Sequence, residues 1–350
     1  MMTERHYDVD WLRTAAMALL VIYHATLIFQ PWAQEFGLPQ NSDTLEESWV
    51  LMSMFNVWRI PIVFMISGMG VRFSMERRDW KALLRERTLR ILVPFLFAII
   101  VLQAIANVLM EYFGWNAPYA ISFGHLWFLP YIYLYFLLAI GPMYWLRNNS
   151  DNAFYRFVRR VMPMPGGLLV FTVPVMLEAM LVDPEGYTSY AGTPHGFFIG
   201  FVCFVTGFVL VSQKDVFWSA ATKTCWSALV LALSIYLIRL FVYDLGAPPQ
   251  WLSGLETMCW MLALLGFANR YLNQPSRALA YLSVAVYPVY IVHQPVLYGA
   301  AYLVLPLQIA ASLKLGLLLG ASFGVSLLLY EFVLRRIKWA RPVFGMKLRS

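Results

Sequence analysis

The sequence predicts an all-α protein: a polytopic bundle of about ten transmembrane helices with both chain ends in the cytoplasm. Three observations predict it. Of the 350 residues, 60% are hydrophobic and only 13% are charged, about half the charge fraction of an ordinary soluble domain. Apolar runs close to the roughly 20-residue length of a bilayer span recur along the whole chain. The basic residues alternate from one side of these runs to the other.

The runs cover 13–33, 51–73, 91–113, 125–146, 166–182, 196–212, 224–243, 252–269, 279–303 and 309–334. They are rich in Leu, Ala, Met and Phe and lack the ~10-residue alternating segments of a barrel, which favours helices. The loops between them are short, so residues 1–350 are expected to form one membrane domain. The first run follows Arg13, is too long for an h-region and has no small-residue cleavage site after it. It reads as a retained helix and not as a signal peptide. Cys203, Cys225 and Cys259 all fall in spans, and their odd number and wide spacing argue against a disulfide framework or a zinc site.

The net charge of +7 would suit a nucleic-acid partner only if it were gathered into a patch. With the N-terminus inside, the cytoplasmic segments instead hold 23 of the 26 Lys and Arg residues. The other three, Arg59, Arg239 and Lys314, fall within spans or close to their ends. The opposite loops, 34–50, 114–124, 183–195, 244–251 and 304–308, contain none and carry acids such as Glu35, Asp43, Asp183 and Asp244. That is the positive-inside pattern, and a wrong helix count would scramble it. Trp32, Trp49, Trp115, Trp127 and Trp251 form the expected aromatic belt on the outer side. Pro61, Pro94, Pro130, Pro174 and Pro288 lie within spans, where kinks are tolerated and separate neighbouring helices.

Polar groups inside spans are costly and point to function by default. His24 follows Arg13 by eleven residues on the first span, which places both on one helix face about 16 Å apart. Arg13 sits at the cytoplasmic end and His24 towards the outer half; snorkelling of Arg13 to headgroups is the structural alternative. The segment from Arg72 to Arg90 is the most basic in the chain, and Arg87 and Arg90 share a face if it is helical. It suits topology and anionic lipid, or docking of a phosphorylated ligand. Phe64-Met65-Ile66-Ser67-Gly68 places a small polar pair in the second span, which also suits close packing. His125-Leu126-Trp127-Phe128-Leu129 opens the fourth span. Tyr287, Tyr290 and His293 form a stripe in the ninth. Glu331 closes the tenth, within reach of a local ion pair with Arg335 or Arg336.

Together these segments resemble the membrane acyltransferase-3 family. Asp10-Trp11-Leu12-Arg13 with His24 is similar to the family's Arg-x10-His signature. Phe64 to Gly68 is similar to F-x-x-S-G, and Arg87-Thr88-Leu89-Arg90 to R-x-x-R. His125 to Leu129 resembles H-L-W-F-L, and Tyr287 to His293 resembles Y-x-x-Y-x-x-H. Five motifs in order over nearly the full chain are far more specific than any one. In style the chain is most similar to the glucan biosynthesis protein C branch, which decorates periplasmic glucans with succinyl groups. It departs in reading Arg13-Thr14-Ala15-Ala16 where Arg-Gly-x-Ala is common, and in carrying no appended soluble domain.

The resemblance implies an O-acyltransferase of the bacterial inner membrane. Acyl-CoA is then the co-substrate, with its phosphates on Arg87 and Arg90 and with Arg13 assisting. His24 and Arg13 are the catalytic residues, His24 as base or acyl carrier, and the acceptor is a carbohydrate hydroxyl. It implies acceptor or cavity roles for Ser67, His125, Trp127, Tyr287, Tyr290, His293 and Glu331. No bound cofactor or metal is called for, because the thioester is already activated. A multi-span transporter is the alternative from another class, and a non-catalytic envelope scaffold is a third. The sequence leaves open the acyl group, the acceptor and the oligomeric state. A succinyl carboxylate would need a cation, for which Arg59 and Arg239 are candidates.

Overall fold

The structure is a computed structural model that describes residues 5–115 and 123–346. Part of the expected loop 114–124, and Lys347 and Arg349 of the C-terminal basic segment, lie outside the described residues. Among those residues every regular element is helical. In chain order they are α1 (Tyr7–Leu27), α2 (Ser48–Met75), α3 (Trp80–Tyr112), α4 (Gly124–Asn148), α5 (Ala153–Val161), α6 (Gly167–Val182), α7 (Pro194–Val211), α8 (Asp215–Phe241), α9 (Gln250–Leu272), α10 (Arg277–Val304) and α11 (Ala311–Leu334).

Eight of these, α2 to α4 and α7 to α11, are long and apolar enough to cross a membrane. The two remaining expected spans are helices of another kind. α1 starts earlier than the apolar run and ends at Leu27, carrying Asp8, Asp10, Arg13 and His24 along its length. α6 is shorter, a 3₁₀ turn over Gly167–Thr172 leading into Val173–Val182, with Pro174 in its first α turn. α5 is a short surface helix. The Asn152 side chain accepts from the Tyr155 N–H at 2.8 Å as its cap, and Tyr155 and Val158 are buried beneath exposed Arg156, Arg159 and Arg160.

Of the basic segment before the third span, the part from Trp80 onward is helical and continuous with it, while Arg72 lies in the last turn of α2 and Arg77 and Arg78 lie in the connection. α3 runs unbroken from Trp80 but is interrupted by two π turns, Thr88–Leu92 and Ala98–Leu102. Pro94 cannot donate to the carbonyl of Arg90, and a wider turn absorbs that missing bond. A third π turn, Tyr330–Leu334, closes α11.

The chain groups into two compact units. Unit 1 comprises the residues up to Ala16, Ser53–Arg85 and Tyr131–Leu279; unit 2 comprises Met17–Met52, Glu86–Pro130 and the residues from Ala280. In unit 1, α8 packs on α9, α9 on α6 and α6 on α7. The glycine of the second-span motif acts here through packing. A Cβ on Gly68 would stand 1.8 Å from the Phe204 carbonyl oxygen of α7. Only a residue without a side chain lets the two backbones approach so closely.

Unit 1 buries its charges in pairs. The Arg239 guanidinium on α8 donates to both carboxylate oxygens of Glu256 on α9, at 2.9 and 3.2 Å, and to the Ser53 carbonyl at 2.9 Å. Trp260 Nε1 donates to the same carboxylate at 3.3 Å. Both ionic side chains are at most 7% exposed. His195 Nδ1 faces Glu178 Oε1 at 3.0 Å, and its Nε2 donates to the Tyr187 carbonyl at 2.9 Å.

Unit 2 closes over an apolar cluster that includes Ile28, Phe29, Met110, Leu297, Tyr298 and Leu318, flanked by Trp32, Trp49 and Trp115. The loop after α1 is tied back by the Asn41 and Leu45 N–H groups, which donate to the carbonyls of Ile28 and Phe29 at 2.9 and 2.8 Å. This loop is therefore held against the residues that directly follow α1, and the end of α10 joins the same cluster through Leu297, Tyr298 and Ala301.

Removing one member of the Arg239–Glu256 pair leaves a buried charge uncompensated. Arg239→Met alone is expected to destabilise the protein by about 3–5 kcal/mol. Arg239→Met combined with Glu256→Leu is expected to recover most of that loss. Thermal unfolding of the detergent-solubilised variants measures both, and equal losses in the single and double variants would contradict the pairing.

Candidate active site

The site is built on three helices of unit 2. α1 contributes His24 from its last turn. α10 contributes Tyr290 and His293, one turn apart and both fully buried. The turn opening α4 contributes His125, 8% exposed. Sequence spacing puts Tyr290 and His293 on one face of α10, and the fold adds the other two elements.

The three imidazoles meet. His24 Nδ1 lies 2.9 Å from His293 Nε2, and the rings are stacked with centroids 5.2 Å apart and planes 9° from parallel. His125 stands edge-on to both, its centroid 4.8 Å from that of His293 and 6.3 Å from that of His24. Tyr290 locks the arrangement twice. Its hydroxyl donates to the His125 carbonyl, and its own carbonyl accepts from His293 Nδ1.

These bonds set the proton positions. A carbonyl oxygen can only accept, so His293 Nδ1 carries a hydrogen. In neutral His293, Nε2 is then the lone-pair nitrogen and accepts from His24, so His24 carries its hydrogen on Nδ1. The basic lone pair of His24 is thereby directed to Nε2. When His24 takes up a proton there, its Nδ1–H bond to His293 becomes charge-assisted and shortens. The relay Tyr290 carbonyl, His293, His24 orients a base as a buried acceptor orients the histidine of a hydrolase triad.

His125 borders a narrow crevice with Gln103 and Gln294, walled by Ala98, Leu102 and Pro295. Among the described residues neither His125 ring nitrogen has a hydrogen-bond partner, and neither does Gln294 Oε1. Gln294 Nε2 donates to the Tyr298 hydroxyl at 2.6 Å. Three polar atoms on two side chains, His125 and Gln294, thus border the crevice with hydrogen-bonding capacity unused, while Gln103 Nε2 donates to Asn107 Oδ1 at 2.9 Å. The sequence reading missed Gln103 and Gln294. Both are amides inside a span, and the rule that polar groups there need a reason applies to them as much as to histidine.

Unit 2 also holds the arginines of α3. Arg87 precedes the first π turn of α3 and Arg90 lies within it, and both converge on one carboxylate, with Arg90 3.1 Å and Arg87 4.0 Å from Glu86. They gather there because Glu86 draws both in. Tyr287, one turn before Tyr290 on α10, is wedged against this segment by the C-terminal turn Pro342–Phe344. A Cβ on Gly345, whose φ is +70°, would lie 2.3 Å from the Tyr287 ring and 3.3 Å from the Arg90 carbonyl. α10 therefore carries Tyr287 beside Arg90 and His293 beside His24.

The other expected site residues sit elsewhere. Arg13 lies on the same unbroken α1 as His24, in unit 1, and its guanidinium bonds Asp10 at 2.9 Å. Ser67 donates to the Val63 carbonyl of its own helix at 2.8 Å. Trp127 packs edge-on to Phe128. Glu331 forms a two-point bond with Arg335 at 2.8 and 2.9 Å, which holds the Arg335 pKa above its ordinary value. Arg239 is neutralised by Glu256, which disfavours it as a partner for an acyl carboxylate; Arg59 donates to Asn56 at 2.8 Å. Among the described residues no group of three or more His, Cys, Asp or Glu side chains is arranged to hold a metal ion.

The family described as Acyltransferase domain, acyltransferase 3, matches residues 6–331. Among curated proteins, the chain is 24% identical over 369 residues to glucans biosynthesis protein C of Escherichia coli O139:H28, covering 95% of this chain and 92% of that protein. It is 23% identical over 371 residues to the same protein of Escherichia coli K12, and 25% over 379 residues to that of Salmonella heidelberg, with the same coverage. No solved structure matches.

The tautomer assignment is directly measurable. Nitrogen-15 NMR of histidine-labelled protein is expected to show His24 protonated at Nδ1. His293→Gln, whose amide oxygen accepts the same hydrogen, is expected to keep that signature, and His293→Leu to lose it. A His24 spectrum unchanged in His293→Leu would contradict the relay.

Proposed function

This chain belongs to the acyltransferase-3 family, and on that premise we propose that it moves an acetyl or succinyl group from cytoplasmic acyl-CoA to a hydroxyl of an envelope or periplasmic glycan. It is a multi-pass membrane acyltransferase; the donor, the acceptor and an inner-membrane location are the parts proposed. The observation that carries the reading is the His24–His293–Tyr290 relay, which provides an oriented base inside a membrane bundle.

Residues 1–350 act as one acyltransferase domain, with both termini on the cytoplasmic side as the charge distribution supports. Arg87 and Arg90 then lie on the donor side. Guanidinium forks suit the phosphates of a CoA, and phosphate binding displaces Glu86 from between them. Arg13 assists from the same side. The thioester reaches along the bundle towards His24. There Nε2 of His24 removes the proton of the acceptor hydroxyl as its oxygen attacks the thioester carbonyl. The C–S bond breaks, the thiolate takes the proton back from Nε2, and the products are an O-acyl ester and free CoA. Tyr287 and Tyr290 line the route along α10. His125, with Gln103 and Gln294, borders the reacting centre and supplies hydrogen bonds to the carbonyl oxygen or the acceptor. The relatives named glucans biosynthesis protein C support a glucan as the acceptor class.

His24→Ala is expected to abolish transfer of radiolabel from acyl-CoA to glycan, with membrane insertion intact. A general base of this kind contributes roughly 10²–10⁴-fold, so retained activity would remove His24 from the role. Arg87→Ala with Arg90→Ala is expected to raise the KM for acyl-CoA roughly tenfold or more through lost charge-assisted bonds, leaving the KM for acceptor unchanged. An N-terminal tag found on the periplasmic face would overturn the topology and the donor route together.

A further inference from the structure

A second polar feature of unit 2 takes no part in the histidine cluster. The loop after α1 and the loop joining α10 to α11 border an open cavity of about 440 Å³, lined by Ser42, Asp43, Gln308 and Lys314 with Leu305 and Leu307. Its size falls within the range of small-ligand sites.

The cavity is anchored by a buried cation. Lys314, on the first turn of α11, is 4% exposed. Its Nζ donates to Asn41 Oδ1 at 3.2 Å and to the Leu305 carbonyl at 2.8 Å, so one ammonium joins the two loops. Asn41 is held in turn, its N–H on the Ile28 carbonyl at 2.9 Å and its Nδ2 on the Asp43 carbonyl at 2.7 Å. The Asp43 backbone is thus fixed while its side chain stays exposed at the cavity. Gln308 and Ser42 are exposed beside it.

This lining has a definite preference. A carboxylate only accepts hydrogen bonds, an ammonium only donates, and an amide and a hydroxyl do both. Opposite charges in one lining offset each other for a ligand of single net charge. They match a neutral ligand dense in hydroxyl groups, each of which donates one bond and accepts others. We propose that this cavity is a distal acceptor subsite, binding saccharide units remote from the hydroxyl that is acylated. The identity of the ligand as acceptor rests on the acyltransferase reading above.

The placement fits that role. Both loops continue directly from the helices that carry His24 and His293. Eleven residues separate His293 from Val304, the end of α10, which is about 16 Å of helix. A sugar seated in the cavity is therefore not the one at the histidines but belongs to the same oligosaccharide chain. Its binding energy positions the reacting unit, as remote binding does in other enzymes, and it favours a polymer over a free monosaccharide.

The test uses the full chain in detergent, with glucose and a β-glucose hexasaccharide as probes. Asp43→Ala combined with Gln308→Ala truncates two exposed side chains, and an unchanged thermal transition confirms the fold. Calorimetry is expected to show hexasaccharide bound about tenfold more weakly by this variant, as for loss of one or two hydrogen bonds. In acyl transfer the KM for hexasaccharide rises by the same factor, with kcat and the KM for glucose unaltered. Wild-type affinity in the double variant overturns the proposal, and so does a wild-type protein that binds no hexasaccharide. A lipid headgroup lost from the variant while saccharide affinity holds assigns the cavity to lipid and also overturns it. If hexasaccharide binds as expected but His24→Ala still transfers acyl groups, the catalytic reading fails and the subsite stands.

Discussion

Hydrocarbon offers no hydrogen-bond partners, so each polar side chain within these helices must be met by another protein group. Arg239 meets Glu256 and the Ser53 carbonyl; His195 meets Glu178 and the Tyr187 carbonyl. His293 meets the Tyr290 carbonyl on one side and His24 on the other. The same requirement that holds the bundle together fixes the tautomer of the base. An imidazole whose Nδ1 is committed to its neighbour presents Nε2 to chemistry, and no separate device is needed to orient it.

α10 carries the largest share of this arrangement. Its stripe places Tyr287 beside the arginine segment of α3, Tyr290 across to the His125 backbone, and His293 on His24. Pro288 and Pro295 within the helix remove two intrahelical bonds. The π turns of α3 do the same for the segment it faces within unit 2. Irregular backbone thus accompanies the residues assigned to chemistry, whereas the paired charges of unit 1 lie on regular helices. Arg239 and Glu256 in unit 1 are closed upon one another, while His125 and Gln294 in unit 2 retain hydrogen-bonding capacity.

Much of this was legible in the chain itself. The all-helical class follows from run length and composition, because a span has a fixed length and must satisfy its own backbone. The motif residues His24, His125, Tyr290 and His293 stand out because a polar residue in an apolar run is costly. Others from the same reasoning have local occupations: Ser67 bonds its own helix, Gly68 serves contact with α7, and Glu331 is held by Arg335. Spacing alone cannot separate these cases, since a hydroxyl bonded four residues back and one aimed at a substrate occupy the same register.

The sequence by itself determined the all-helical membrane class of the protein and the identity of its costly residues, though not the bounds or the number of its spanning helices. Those properties depend on local length, hydropathy and order along the chain. Only the tertiary structure decided which costly residues face one another. His24 and His293 are 269 positions apart and bonded at 2.9 Å; Lys314 joins two loops 264 positions apart at Asn41 and Leu305. Periodicity reports which face of a helix a residue occupies, but not which neighbour that face receives. The proton on His24 is set by that neighbour, so it became readable only when the helices were packed.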